Sequence, residues 1–412
     1  MTQSQHTPLA IVFALGFTMM LGPFAIDTYL PAFPIMASDL GVDIQQVALS
    51  ISVYMFAFAI GQLVGGALSD KFGRRRVLIS GLLLFAGASF LLAQVESLQW
   101  LLVGRMLQAI GGGWTGVSIP ALVRDRVQGQ HAAKLFSMIG LVAIIAPAVA
   151  PAIGNLLLQI GSWGLIFQFL GAYALCMLPL LAVTVFRSPR RPPPQRGAMT
   201  IMARYIEVLG ERRALPHIGW QTAGFGGLII FVTWSAFIYQ VHYEQSPEAF
   251  TLLFACNIVT MFGCNLLNRF LLNRMPSLQI LRGATKVQAI AAAWLLAVAL
   301  FDGPLLAFLP GMMLYAGTLG AISPNNQACF LEYFPSSSGS AAALMGTATF
   351  GLGGIASALS TLLPQSLLTV TLCMMGCALA SLGFMALRGR ASHSAVETEA
   401  EAEAELEAKS TA

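Results

Sequence analysis

GALSDKFGRRR, residues Gly66 to Arg76, separates two long apolar runs and carries four basic side chains, Lys71, Arg74, Arg75 and Arg76. Two apolar runs meeting at a basic turn read as membrane-spanning helices joined on the side where Lys and Arg are retained. Gly66 is expected to allow close helix contact, Gly73 to permit a tight turn, and the basic residues to anchor the loop.

Working outward, the same alternation repeats along the chain. Only 10% of the 412 residues are charged and 57% are hydrophobic, against about 25% charged in a soluble domain. A spanning helix needs about 20 mostly apolar residues. Twelve such segments are expected, beginning near Leu9, Gln46, Val77, Leu98, Ala133, Trp163, His217, Ala249, Gln279, Pro304, Gly339 and Gln365. Little chain is left for a soluble domain. Met1 to Pro8 has no Lys or Arg, and the following apolar run exceeds that of a signal peptide, so the first span is expected to be retained.

Charge sets the orientation. Of the 22 Lys and Arg residues, only Arg105 falls inside a span; all others lie in even-numbered loops, at the adjoining helix ends or in the C-terminal tail. The positive-inside rule therefore places both termini in the cytoplasm and makes the chain a multi-pass protein of the bacterial inner membrane. The net charge of +4 reflects this topology and not a nucleic-acid partner. The partners expected are the lipid bilayer, a small-molecule substrate and protons, with the chain a monomer.

The longest polar stretch opens with RSPRRPPPQRG after Phe186, and its proline run favours an extended backbone. It divides the chain into a six-helix half over residues 1–186, a cytoplasmic linker over 187–216, a second six-helix half over 217–388 and a tail over 389–412. Within the linker, MTIMARYIEVLGERR mixes apolar and basic residues, which suits a short helix on the membrane surface or a disordered connection. The acidic tail VETEAEAEAELEA is expected to be solvated and disordered. Weak self-similarity accompanies the division: Gly116-Val117-Ser118-Ile119-Pro120 resembles Gly320-Ala321-Ile322-Ser323-Pro324, 204 residues on, as parallel duplicated halves would.

Five scattered histidines and six cysteines in or beside spans form no metal-ligand spacing, so neither a metal nor a cofactor is expected. No nucleophile–base pair or phosphate loop suggests an enzyme.

Two ionisable residues lie clearly within spans, Asp27 and Arg105. A charge at the bilayer centre costs about 2.5–3.5 kcal/mol on insertion scales, so one that persists lines a cavity or has a partner. Both residues fall in the outer half of the membrane, counting about 1.5 Å per residue from the span ends. Their proximity leaves two readings open. One is a structural ion pair. In the other, Asp27 carries a proton: burial favours the neutral acid and a nearby guanidinium the charged one, so an acid between them exchanges its proton when its surroundings change. Arg105 does not deprotonate and would tune Asp27 or touch substrate.

The opening stretch also resembles the GxLaDrxGrk signature of the major facilitator superfamily, at the loop where that family carries it. The resemblance implies an all-α membrane protein of twelve helices in two six-helix halves. It also implies a conformational latch in which Asp70, with Gly66, Gly73 and Arg74, caps a helix of the other half near Ser337, Ser338 and Gly339. Arg105-Met106-Leu107-Gln108-Ala109-Ile110-Gly111 is similar to the family's RxxQGxG motif, with Ala109 in place of its first glycine. That match implies a part for Arg105 in proton coupling. Gly140, Pro147, Pro151 and Gly154 resemble the antiporter motif of span 5, with Ala146 and Asn155 departing from its strict form. Together with IDTYLPAFP in span 1 and VRDR from Val123, they look like the Bcr/CflA branch of drug exporters. These matches cover the first half of the chain.

The resemblance implies proton-coupled export of small hydrophobic drug-like compounds by alternating access; proton-coupled uptake of a small metabolite is the alternative. Substrate sites in such carriers lie near the midplane between the halves. The candidates there are Phe24, Asp27, Tyr29, Gln108, Gln221, Phe225, Trp234, Tyr239, Asn257 and Asn326.

Overall fold

The computed structural model describes residues 9–124, 135, 138, 139, 142, 145–187, 201–334 and 338–410, and only the backbone of Asp70, Arg124, 201–204, 338, 339 and 389–410. Among them every regular element is a helix. Spans 1 to 6 are Leu9–Leu40, Ile44–Phe72, Arg74–Leu92, Leu98–Arg124, Ile145–Ile160 and Gly164–Thr184. Spans 7 to 12 are Leu215–His242, Pro247–Leu271, Ser277–Leu300, Leu305–Leu331, Ser338–Ser360 and Leu367–Arg388. Ten are long and apolar enough to cross a membrane. The other two are span 4, which carries Arg105, and the described part of span 5.

The chain order repeats its packing. Spans 2 and 3 pack on span 4, and span 6 on span 3; spans 8 and 9 pack on span 10, and span 12 on span 9. The two six-helix halves meet where span 2 lies along span 11 and span 5 against span 8. Leu252, Phe301, Leu306 and Leu362 on the outside of the bundle are exposed, as lipid-facing side chains must be.

Span 1 is broken. Helices Leu9–Met19 and Leu21–Asp27 give way to a single 3-10 turn, Leu30–Ala32, before Phe33–Leu40. Pro31 and Pro34 lack the N–H groups that would continue an α-helical ladder back to Asp27 and Leu30. The break therefore leaves Asp27 at a helix end in the interior of the bundle.

Close packing in the first half comes from glycines on the facing surfaces of spans 2 and 4. A Cβ at Gly61 would stand 2.9 Å from Ile110 Cα, and one at Gly113 2.6 Å from Phe58 O. Gly66, expected to make the close contact, has room: a Cβ there would meet nothing nearer than Val117 Cγ2 at 3.7 Å. The correction follows from helix rotation, because Gly61 and Gly65 share a face and Gly66 is turned about 100° from Gly65. Gly73, in contrast, has φ +89°, a conformation that L side chains rarely adopt; there span 2 ends and span 3 begins.

Two connecting segments behave as helices. Ile201–Gly210 follows the proline-rich stretch and buries Val208 against Phe330, Phe334 and Met345, while Ile206 and Leu209 remain exposed. The backbone of the last helix runs through Ser410, so the acidic stretch is helical here and not irregular. Alanine and glutamate are both strong helix formers, a preference that composition-based disorder ignores.

At the end of the bundle opposite the termini the halves are tied by hydrogen bonds. Gln45 Nε2 donates to Thr361 O and, at 2.8 Å, to Leu363 O. One turn or two deeper, Ser52 Oγ donates to Ser357 Oγ at 2.8 Å, and Thr233 Oγ1 meets the same Ser357 Oγ at 2.6 Å. Spans 2, 11 and 7 are thus linked through one hydroxyl.

Gly154 of span 5 lies directly against Thr28 O at the break in span 1. A Cβ there has no space, and the neighbour it would meet, Thr28, presents rigid backbone, so overpacking costs about 1–3 kcal/mol or more. Gly154→Ala is expected to lower the thermal unfolding temperature of the purified protein in detergent by several degrees, whereas Gly376→Ala, with nothing within 4 Å, leaves it unchanged.

Candidate functional site

A cavity of about 250 Å³ lies between the halves. Its walls come from spans 1, 2 and 5 on one side and 7, 8, 10 and 11 on the other. Aromatic rings line it: Phe58 and Phe225 both pack edge-on to Phe350, with ring centroids at 5.4 and 5.8 Å. Phe231 and Phe254 stack at 6.2 Å across the C-terminal wall. The polar groups in the lining are Asp27, Tyr54 and Asn257.

Asp27 reaches this cavity because the helix Leu21–Asp27 ends there, and it is 6% exposed. Arg105 is fully buried behind it. Its Nη1 donates to Ala25 O at 2.8 Å and to Gln108 Oε1 at 2.5 Å. Ala25 belongs to the last turn of the broken helix, whose carbonyls form the negative end of its dipole. The guanidinium is stacked between two tyrosines, 4.5 Å from the Tyr29 ring centroid and 4.3 Å from that of Tyr54. Its Nε and Nη2 have no hydrogen-bond partner among the described residues.

Of the two readings left open for Asp27 and Arg105, the structural ion pair is not formed, and the buried cation is compensated differently. No carboxylate stands within ion-pair distance of Arg105 among the described residues; two ring faces and the end of a helix offset the buried cation. Tyr54, absent from the sequence candidates, joins the two sites, since its ring covers Arg105 and also lines the cavity. The signal for it in the sequence was only a tyrosine in span 2.

Of the residues proposed for substrate contact, the structure brings Asp27, Phe225 and Asn257 together on the cavity wall. The others are placed elsewhere. Phe24 packs edge-on against Tyr173 at 5.2 Å, facing span 6. Tyr29 shares a hydrogen bond with Ser50 Oγ at 2.8 Å, and Gln108 donates to Ser89 Oγ at 2.8 Å, both inside the N-terminal half. Gln221 donates to Ser323 Oγ at 2.9 Å. Asn326 Nδ2 donates to His217 O at 2.8 Å, and its Oδ1 meets His217 Nδ1 at 2.6 Å. Trp234 donates to Ser360 Oγ at 2.9 Å. Tyr239 is buried behind Phe231, edge-on at 6.0 Å. For Tyr29, Gln108, Gln221, Asn326 and Trp234 the polar group thus finds its partner within its own half.

Of the span 5 motif, Pro147 lines the cavity, Pro151 O faces Thr251 Oγ1 at 3.5 Å, Gly154 abuts Thr28 O, and Gly140 lies outside the described residues. In the loop motif, Arg74 Nη1 donates to Ser69 Oγ at 3.0 Å, while the side chains of Asp70, Ser337 and Ser338 lie outside the described residues.

A bundle of this kind, with a cavity at the junction of two similar halves, defines a membrane carrier. The Major Facilitator Superfamily model matches residues 13–358, and the chain belongs to that family. It is 30% identical over 355 residues to the Bicyclomycin resistance protein homolog of Haemophilus influenzae, covering 85% of this chain and 88% of that protein. It is 31% identical over 361 residues to the Uncharacterized MFS-type transporter YdgK of Bacillus subtilis, with the same two coverages, 85% and 88%. Its fold matches the crystal structure of a D-xylose-proton symporter with a TM-score of 0.72 at 16% identity, over 91% of this chain and 97% of that one. The chain is accordingly a transporter of small molecules and not an enzyme.

The stack on Arg105 gives a direct test. Arg105→Lys and Tyr54→Leu each remove the same cation–ring contact, so their losses are expected not to add. A double-mutant cycle on thermal unfolding should return a coupling of about 0.5–2 kcal/mol; strictly additive losses would mean that the ring contributes nothing to holding the cation.

Proposed function

We propose that the chain exports small hydrophobic, drug-like compounds in exchange for protons, with Asp27 as the proton carrier. The observation that carries this reading is the position of Asp27: it is the carboxylate in the lining of the cavity between the halves, with a permanently charged guanidinium bonded to the backbone two residues before it. The names of the relatives support the direction, since Bicyclomycin resistance protein homolog and Multidrug resistance protein MdtL both denote resistance. The MdtL protein of Klebsiella pneumoniae is 34% identical over 185 residues, 43% of this chain and 47% of its own length.

The exchange follows from using one group for two tasks. Ionised, Asp27 is an acceptor for a donor group of the ligand. Protonated, it loses its charge and half of that accepting capacity, so the ligand is released as the proton binds. Arg105 bonds the backbone at Ala25, two residues before Asp27, and makes no ion pair with the carboxylate, which leaves Asp27 free for the ligand and the proton. The aromatic walls contribute affinity without demanding a particular shape.

In this reading the chain is a monomer of the bacterial inner membrane with both termini in the cytoplasm, because Lys and Arg gather on that side. Its halves are residues 1–186 and 217–388, joined by the cytoplasmic linker 187–216 and followed by the tail 389–412. Gly66, Asp70, Gly73 and Arg74 serve the conformational latch. The hydrogen-bonded end of the bundle is then the periplasmic face, closed in this state.

Everted membrane vesicles carrying a pH gradient test the coupling. The wild type should dissipate the gradient when an exported drug is added, and Asp27→Asn should abolish that response while leaving the protein folded. Full drug efflux by Asp27→Asn would remove Asp27 from the mechanism.

A further inference from the structure

The wall opposite Asp27 carries a polar atom that the protein leaves unused. Asn257, on span 8, is 3% exposed and lines the cavity. Its Nδ2 donates to Leu253 O at 3.3 Å, one turn back on the same helix, which fixes the orientation of the amide. Its Oδ1 is buried and has no hydrogen-bond partner among the described residues.

Leaving a buried acceptor unmade costs about 1–3 kcal/mol, and membrane spans in particular satisfy such groups internally. Asn325 and Asn326, on span 10, follow that rule, each bonded to an amide, an imidazole or a backbone carbonyl. Asn257 departs from it at the point where the wall faces the cavity. The neighbouring Tyr239 hydroxyl interacts with the Asn257 amide, yet no hydrogen bond of full geometry satisfies either Tyr239 Oη or Asn257 Oδ1 among the described residues.

The surroundings of Asn257 limit what can satisfy it. Phe231 and Phe254 lie stacked beside it, and Phe58, Phe225 and Phe350 close the other side. A cavity of about 150 Å³ holds a benzene ring, so the 250 Å³ present here suits a fused pair of rings. Resting on the reading of this cavity as the substrate site, we propose that Asn257 is its specificity-determining residue and that the cavity takes compact aromatic molecules bearing a neutral hydrogen-bond donor, a hydroxyl or amide N–H, directed to Asn257 Oδ1. A site with an unsatisfied acceptor discriminates against an analogue lacking the donor far better than an apolar wall discriminates by size.

The test uses naphthol and its methyl ether, which differ in the donor and keep the ring. Binding to the purified full-length protein is measured by fluorescence for the wild type and Asn257→Leu. The wild type should prefer naphthol about tenfold, the worth of one neutral hydrogen bond. In Asn257→Leu the preference should fall to about one, with the ether bound as before; that retained affinity reports that the variant is folded and the cavity intact. Equal binding of the two compounds by the wild type overturns the proposal. A preference that survives in Asn257→Leu assigns the donor to another acceptor of the lining and overturns it as well. Binding needs no pH gradient, so a failure of proton coupling in vesicles leaves this ratio readable and the two failures stay distinct.

Discussion

A guanidinium sealed inside a lipid-embedded bundle sets the terms for what surrounds it. Arg105 cannot shed its charge, and the bilayer offers it no water. The fold answers with two tyrosine faces, a glutamine oxygen and the carbonyl of Ala25. That last contact requires span 1 to end a helix where Arg105 reaches it, which Pro31 and Pro34 arrange by interrupting the ladder. The interruption also delivers Asp27 to the cavity. One compensation for one buried cation thus fixes the shape of span 1, the position of Tyr54 and the location of the acid, and Gly154 lets span 5 close over the same break.

The apolar periodicity of the chain made the spans legible: eleven described starts lie within three residues of the expected ones, the largest gap among them being Arg74 against Val77, and the start expected near Ala133 lies outside the described residues. Hydropathy suffices for this because a spanning helix must satisfy its own backbone. Arg105 and Asp27 were legible for the related reason that charges are rare at such depth. The identity of a residue says nothing, however, about which way its helix is turned. Gly66 and Gly65 differ by one position and about 100° of helix rotation, and only Gly65 is pressed against span 4. Phe24 and Phe225 are equally aromatic, yet one faces span 6 and the other the cavity.

Polar residues in spans posed a second ambiguity that sequence reading does not resolve. Gln221, Asn326 and Asn257 all signal a need for a partner. For Gln221 and Asn326 the partners are Ser323 and His217, brought together by the packing of spans 7 and 10, which lie about a hundred residues apart in the chain. For Asn257 the Oδ1 remains open. Whether a buried amide is structural or receptive depends on its neighbours across helices, and that information is absent from local sequence.

The closed end of the bundle explains how such a site can serve both faces of a membrane. Gln45 holds two carbonyls at the end of span 11, and Ser357 joins spans 2 and 7 through its hydroxyl. Each neutral hydrogen bond contributes about 0.5–1.5 kcal/mol net of what water would supply. The polar ties between the halves therefore amount to a few kcal/mol, of the size that separates interconverting states. A differential affinity of similar size for the two states, from any ligand of the cavity, suffices to reverse the balance. Had the same surface been sealed by interdigitated apolar side chains, opening it would expose them to water at about 25 cal/mol per Å², and no single ligand in a cavity of 250 Å³ would match that cost.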